Sequence, residues 1–460
     1  MNIPAVVNPA SFRDPSGAVF SVGREIFRSV HQSYESNFRA LINSGLYKEL
    51  TRDGRLIPHV EVEPSSLSEG VSRVIKPDFI EFISYPHEWS FSQYKEAALL
   101  TLDIQWTALK HGMTLKDASA YNVQFHNGKA IFIDTLSFES YTPGAPWVAY
   151  RQFCQHFLAP LTVMSYCDVR LNKLCQNFID GIPLDLASSI VPWKTKLKPG
   201  LLIHLYFHAR MQNKFAGKTK AGPKDVGKIS LHAQEALIDS LRSTIQRLKW
   251  DAAGTEWADY YEATNYTVDS MREKENLVRS WLLETKPRTV WDLGANTGRF
   301  STIAAEVAKL VVAFDIDPAA VDRNYREVRR SGKTAILPLI LDLTNPSMGF
   351  GWAGIERNGL LDRGPADVVI ALALIHHLAI SNNVPLPMVA KFFSMCGKNL
   401  IIEFVPKSDS QVKRLLATRQ DIFGNYTEAS FENIFAEFYR IVAKAPVADS
   451  DRILYRMERQ

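Results

Sequence analysis

From about Pro287 onward the chain alternates short β-rich apolar runs with helical stretches: TVWDL, then RFSTIAAEVA; LVVAFDI, then PAAVDRNYREVRR; then AILPLILDL, ADVVIALAL and NLIIEFV. Runs that are apolar at nearly every position belong to strands covered on both faces, and strands separated by helices pair in parallel. The pattern therefore predicts an open α/β sheet with helices on both sides. The last stretch, FYRIVAKAPVADSDRILYRME, holds two strands joined by a short polar turn, and hairpin geometry makes the last strand antiparallel.

A sheet of this kind cannot account for 460 residues, because domains usually hold ~100 to 200. The clearest break is NKFAGKTKAGPKDVGKIS, Asn213 to Ser230, where lysine and glycine replace the apolar pattern as in an exposed connector. This gives an N-terminal α+β domain over 1–212, a basic linker over 213–230, and a C-terminal domain over 231–460. The last opens on LHAQEALIDSLRSTIQRL, whose Leu237, Ile238, Leu241, Ile245 and Leu248 have helical spacing. Lys and Arg (53) nearly balance Asp and Glu (49), so the net charge of +4 gives no general reason to invoke nucleic acid or an anionic membrane, and partners must be argued locally. The four cysteines form no CxxC pair, and MNIPAVVNPASF lacks a basic flank and apolar run, which argues for a reducing cytoplasm and against a zinc framework. The longest apolar run, VVIALALI, falls far short of the ~18 residues of a membrane span.

In WDLGANTGRF the strand ends at Leu293 and the helix begins near Gly298, so Gly294 and Gly298 occupy a turn that a ligand can approach closely. The spacing is GxxxG where dinucleotide folds use GxGxxG, so the turn is poorly matched to a pyrophosphate. Asp315 ends the second strand, where a carboxylate can accept hydrogen bonds from both hydroxyls of a ribose. Asp317, followed by Pro318, suits a helix cap. Asp342 either reaches an adenine amino group or forms a turn before Asn345 and Pro346. His376 and His377 follow the fourth strand at the carboxyl end of the sheet, where a histidine can serve as a base or pack as a hydrogen-bonded residue. Glu403, ending the fifth strand, admits the same two readings. In WADYYEATNYT, Tyr261 and Tyr266 suggest either a lid or core.

WDLGANTG, VVAFDIDP, ILDL, ADVVIALALIHHL and LIIEFV, in that order, resemble the successive motifs of class I S-adenosylmethionine-dependent methyltransferases over roughly Leu277 to Gln460. The resemblance implies a Rossmann-like seven-stranded sheet. It places Asp292 and Gly294 on the methionine portion of the cofactor, Asp315 on the ribose and Asp342 on the adenine. Asn296 stands where the family usually has the middle glycine, and asparagine tolerates left-handed backbone better than other residues with side chains. The implied function is methyl transfer to nitrogen or oxygen of an unidentified acceptor, with His376, His377 and Glu403 as catalytic candidates. Protein, small molecule, lipid-linked sugar and RNA are all open as acceptors, and the balanced charge favours a small molecule or protein over RNA. ALALIHHLAISNNVPL and IIEFVPKSDSQVKRLL are also similar to a bacterial group related to rhizobial nodulation host-specificity proteins, some described as ribosomal-protein methyltransferases.

In the N-terminal half, LKDASAYNVQFHNGKAIFIDTLSF sets Asn127 and Gly128 as a two-residue hairpin turn, which brings Asn122 and Asp134 together at the open end with Asp117 one short loop away. The D-x4-N spacing and the later aspartate resemble the catalytic loop and metal-binding segment of protein-kinase-like phosphotransferases. In that resemblance Asp117 orients the acceptor while Asn122 and Asp134 hold Mg²⁺ and, through it, ATP. LKD replaces HRD and DTL replaces DFG, and the alternative is a hairpin whose polar ends cap turns. Three functions follow: a methyltransferase, a phosphotransferase in the N-terminal half, and a non-catalytic cofactor-binding protein. His204 and His208 of HLYFH lack the glutamate of HExxH and are structural.

Overall fold

The computed structural model describes residues 5–63, 69–210, 228–252, 267–417 and 419–460. The chain divides into two compact units, one of Met1–Trp250 with Phe350–Arg357, the other of Asp251–Gly349 with Asn358–Gln460. Among the described residues, no helix is long and apolar enough to cross a membrane.

The first unit opens with an antiparallel sheet of β1 (Val6–Val7), β2 (Val19–Val22), β3 (Glu25–His31), β4 (His59–Val62) and β5 (Val71–Pro77) in the order β1-β2-β3-β5-β4. A long helix, Phe91–Lys110, starts in a capping box in which Ser90 and Gln93 satisfy each other's backbone amides. It leads into β6 (Met113–Leu115), the hairpin of β7 (Val123–His126) and β8 (Lys129–Phe132), and β9 (Phe138–Ser140), which pairs with β6. Asn127 and Gly128 both take positive φ, 51° and 74°, and close the hairpin as a two-residue turn. The amide of Ile133 donates to the carbonyl of Asn122, which fixes the register expected from the turn.

The unit boundary differs from the one expected at 231. The helix Leu231–Arg247 belongs to the first unit: Arg242 pairs with Asp103 at 2.5 Å, and Lys95 Nζ donates to the carbonyls of Gln246 and Leu248 at 2.8 Å. Its apolar stripe is satisfied by the Phe91–Lys110 helix rather than by the α/β sheet. Phe350–Arg357 also departs from simple sequence order, since the Phe350 ring packs on Tyr85 (5.2 Å) and His87 (5.3 Å), and Glu356 pairs with Arg13 (2.5 Å). Residues 213–227 of the expected 213–230 linker and the stretch bearing Tyr261 and Tyr266 lie outside the described residues.

The second unit is built on β10 (Thr289–Leu293), β11 (Leu310–Asp315), β12 (Ile336–Ile340), β13 (Ala366–Ala371), β14 (Gly397–Phe404), β15 (Tyr439–Pro446) and β16 (Ile453–Arg459). The sheet order is β12-β11-β10-β13-β14-β16-β15. The first five strands pair in parallel, and β16 runs antiparallel to both β14 and β15. Val290, Val311, Ile336, Val368 and Ile401 form the buried centre of the sheet. Because β10 has β11 on one side and β13 on the other, the chain reverses its direction of winding there. Open α/β sheets form a ligand crevice at the carboxyl ends of strands at such a switch point.

Candidate active site

A cavity of about 330 Å³ opens at that switch point, lined by residues that include Lys274, Asp292, Gly294, Asn296, Asp315, Asp342 and His377. Three adjacent parallel strands each contribute one carboxylate to it. Asp292 is the penultimate residue of β10, Asp315 ends β11, and Asp342 lies two residues beyond β12.

The turn after β10 has the shape its residues dictate. Gly294, Asn296 and Gly298 all take positive φ, at 78°, 49° and 83°. A Cβ on Gly298 would lie 2.5 Å from the Asn324 amide, so only glycine fits there without displacement. The Asn296 amide donates to Asp315 Oδ2 at 2.7 Å, and the Asp317 amide donates to Asp315 Oδ1 at 2.9 Å. These bonds fix the carboxylate at the mouth of the turn. Asp317 itself caps the Pro318–Ser331 helix by accepting from Ala319 and Ala320. Asp342 accepts from the amide and hydroxyl of Thr344 and also lines the cavity, so the turn-forming and cavity-facing readings of this residue coexist.

Burial pushes the Asp292 carboxyl up to about 7, against the stabilising hydrogen bond from the Ser301 hydroxyl (2.6 Å). Burial likewise pushes Asp315 up to about 6, despite backbone donors that include the Asp317 and Asn296 amides. A carboxylate in this position is short of positive charge, and a bound cation would supply it.

Among the charged residues that line the cavity, Lys274 is one that the sequence patterns did not single out. It sits on the helix Val268–Thr285 in register with Met271 and Val278, so its signal was a lysine on an otherwise apolar helix face. Its side chain is 2% exposed, its Nζ lies 2.8 Å from Glu403 Oε2, and it stands 5.2 Å from the centre of the Phe300 ring. Burial lowers its pKa, while Glu403 opposes the shift. Glu403 also accepts from the amide of Ala373 at 2.7 Å and is fully buried. It is thus held by a cation and a backbone donor beneath the cavity.

The His376 and His377 rings lie against each other with centres 4.1 Å apart, tilted by 41°. His377 lines the cavity and His376 is not among the lining residues. Burial drives His376 well below the usual histidine range, and His377 falls to about 4 by burial with Arg452 adding to the effect. Both rings are therefore neutral at physiological pH.

In the first unit, Asn122 Nδ2 donates to Ser137 Oγ (3.1 Å), whose hydroxyl donates to Asp134 Oδ2 (2.5 Å), so the hairpin does bring these two side chains together. Burial and the neighbouring Asp134 raise the pKa of Asp117. A fixed cation is already present: Arg28 pairs with Asp134 at 2.7 Å and also with Asp14. Among the described residues, no group of three or more His, Cys, Asp or Glu side chains is placed to hold a metal ion. His204 bonds Tyr150 and Ser240, and His208 stacks on Tyr150, which gives both a packing role.

The sheet order, five parallel strands with β16 antiparallel beside them, gives the second unit the Rossmann-like seven-stranded fold of class I methyltransferases, with the glycine turn and three carboxylates at the carboxyl ends of its strands. The whole chain belongs to the family of nodulation protein NoeA of Rhizobium meliloti strain 1021, with which it shares 37% identity over 456 residues, 98% of this chain and 95% of that one. No family model matches. Among solved structures, the N-methyltransferase NodS of Bradyrhizobium japonicum WM9 is 15% identical, covers 42% of this chain and 97% of its own, and gives a TM-score of 0.31. Magnesium protoporphyrin IX methyltransferase ChlM of Synechocystis PCC 6803 is 17% identical over 44% of this chain and 93% of its own, with a TM-score of 0.32.

Proposed function

We propose that the second unit binds S-adenosylmethionine and transfers its methyl group to nitrogen or oxygen of an acceptor. The observation that carries this reading is the charge of the cavity: among the described lining residues, Asp292, Asp315 and Asp342 stand against one cation, Lys274, which Glu403 already engages. A ligand bearing both a sulfonium and an ammonium matches that imbalance. Asp292 would hold the ammonium, Asp315 the ribose hydroxyls and Asp342 the adenine amino group, while the left-handed turn at Gly294 and Asn296 brings backbone close to the ligand. When bound, the cofactor supplies an already activated methyl group. The work left to the chain is to position the acceptor, exclude water and accept a proton.

His377 is the residue we assign to that proton, since it lines the cavity and stays neutral at physiological pH. Glu403, with Lys274 and the Ala373 amide on its carboxylate, is assigned to holding the cavity floor, and His376 to packing behind His377. The nearly balanced charge of the chain favours a small molecule or a protein side chain over RNA as acceptor. The designation of the relative as a nodulation protein supports a place for this chemistry in nodulation.

Calorimetry with S-adenosylmethionine and S-adenosylhomocysteine tests the reading. Binding that is lost in a folded Asp315→Ala variant supports it, and no binding by the intact chain refutes it. Binding without methyl transfer to any component of a fractionated lysate would identify a non-catalytic cofactor sensor instead.

A second reading is favoured by the convergence of Asn122 and Asp134 on Ser137 beside Asp117. It takes the first unit as a phosphotransferase-like scaffold. Because Arg28 already engages Asp134, we assign this unit to acceptor or partner recognition rather than to Mg²⁺ and ATP. A melting temperature raised by Mg²⁺ and ATP, and unresponsive in Asp134→Ala, would reverse that assignment.

A further inference from the structure

We propose that one face of the first unit, between Trp193 and Phe207, docks on an anionic lipid surface, a property independent of the methyl-transfer reading. The face carries four large apolar side chains that a globular unit would normally bury: Trp193 is 66% exposed, Leu197 70%, and Ile203 and Phe207 each 49%. Ile203 and Phe207 stand four residues apart on the helical stretch Pro199–Phe207, so they share one side of it.

These groups do not protrude from a loose loop. Thr195, 1% exposed, bonds the Tyr206 hydroxyl at 2.6 Å, and Leu201 and Leu205 are buried beneath. His204 is bonded to Tyr150 and Ser240. The inner side of the segment is thus tied to the unit, and the outer side is presented as a fixed apolar surface.

Charge decides the occupant. Lys194, Lys196 and Lys198 are exposed and alternate with Trp193 and Leu197, and the sequence holds no Asp or Glu between Asp185 and Asp225. On the neighbouring helices the acidic groups are Asp185, Glu235 and Asp239, the last two within reach of His232 and Arg242. A tryptophan and aliphatic groups flanked by ammonium groups match a bilayer interface, in which rings and alkyl groups enter the acyl boundary while lysines meet lipid phosphates. No described helix can span the bilayer, so the attachment is peripheral.

The test is co-sedimentation of the full chain with vesicles of phosphatidylcholine alone and of phosphatidylcholine mixed with phosphatidylglycerol. The expected result is pelleting with the mixed vesicles only, weakened by salt. The bound fraction should fall at least tenfold in a Trp193→Ser, Leu197→Ser double variant and in a Lys194→Glu, Lys196→Glu double variant, with circular dichroism and melting temperature unchanged. Wild-type protein that fails to pellet with mixed vesicles would overturn the proposal, as would undiminished pelleting of the folded variants. Concentration-dependent dimerisation abolished by Trp193→Ser, without vesicle binding, would assign the face to a second copy of the chain and equally overturn it.

Discussion

Affinity for the proposed cofactor should depend on pH through Asp292. In the empty cavity its carboxyl is pushed up to about 7 by burial, and only the ionised form attracts the ligand's ammonium, which stays protonated below ~8. The ionised fraction is about 0.76 at pH 7.5 and about 0.09 at pH 6, so this group alone should weaken binding about eightfold across that interval. Asp315, pushed up to about 6, adds roughly a further twofold. Isothermal calorimetry with S-adenosylhomocysteine would show a dissociation constant rising about fifteenfold from pH 7.5 to pH 6. Near pH 7, binding should release about half a proton, visible as a difference in heat between buffers of unlike ionisation enthalpy. Asp292→Asn should bind more weakly and keep only the twofold dependence of Asp315. A dissociation constant that is flat over this range in the wild type, or an unchanged slope in Asp292→Asn, would refute the assignment of Asp292 to the ammonium. In the absence of ligand the sign reverses. The folded carboxyl binds its proton more tightly than the unfolded one at 3.8, so this contribution to stability is full below pH 4 and is lost as pH rises through 7.

Removing Lys274 as Lys274→Met leaves the fully buried Glu403 without its cation and should cost about 3–5 kcal/mol in urea unfolding. Adding Glu403→Gln should recover part of that loss, and strict additivity of the two changes would show that the pair is not coupled. Gly298→Ala places a Cβ against Asn324 at a φ of 83° and should destabilise by about 2–3 kcal/mol, whereas Gly332→Ala, at φ 68° with nothing within 4 Å, should cost only about 1 kcal/mol. Equal effects would show that the contact with Asn324 is not what requires glycine at 298. Arg28→Met releases Asp14 and Asp134 from their shared cation and should lower stability by about 2 kcal/mol, read by chemical denaturation. His377→Ala should leave cofactor affinity intact and reduce methyl transfer on an identified acceptor by about 10²-fold or more.

The parallel sheet was legible because its strands are doubly covered and therefore continuously apolar, a local property of TVWDL or ADVVIALAL. The left-handed turn was legible for a similar reason, since Gly294, Asn296 and Gly298 are the residue types that positive φ demands. The partner of an amphipathic helix is not a local property. The stripe of Ile238, Leu241 and Ile245 states that Leu231–Arg247 must pack, and nothing within it names the Phe91–Lys110 helix as the surface. Phe350–Arg357 escaped notice for the same reason, because its membership of the first unit rests on Arg13, Tyr85 and His87, all more than two hundred residues away. Lys274 was hidden differently. Its helical register was visible, but its meaning depends on Glu403, 129 positions later.

The same dependence on distant partners separates the buried carboxylates into two kinds. Glu403 and Asp409 each face a buried cation, Lys274 and Arg452, at 2.8 Å, and the Arg452 side chain is itself only 2% exposed. Asp292 receives the Ser301 hydroxyl and Asp315 the backbone amides of Asn296 and Asp317, bonds that orient a carboxylate without neutralising it, and the nearby Lys274 charge, engaged by Glu403, favours ionised Asp292 without outweighing its burial. In a folded chain the first arrangement is electrostatically complete, whereas the second carries a standing penalty that burial makes visible as pKa values of about 7 and 6. Such a penalty is tolerated where a ligand relieves it, as functional sites commonly show. Asp292, Asp315 and Glu403 all lie at the carboxyl ends of strands and look alike in the sequence. A direct ion pair with Lys274 is the ground on which we propose Glu403 for the scaffold and Asp292 and Asp315 for the cationic cofactor.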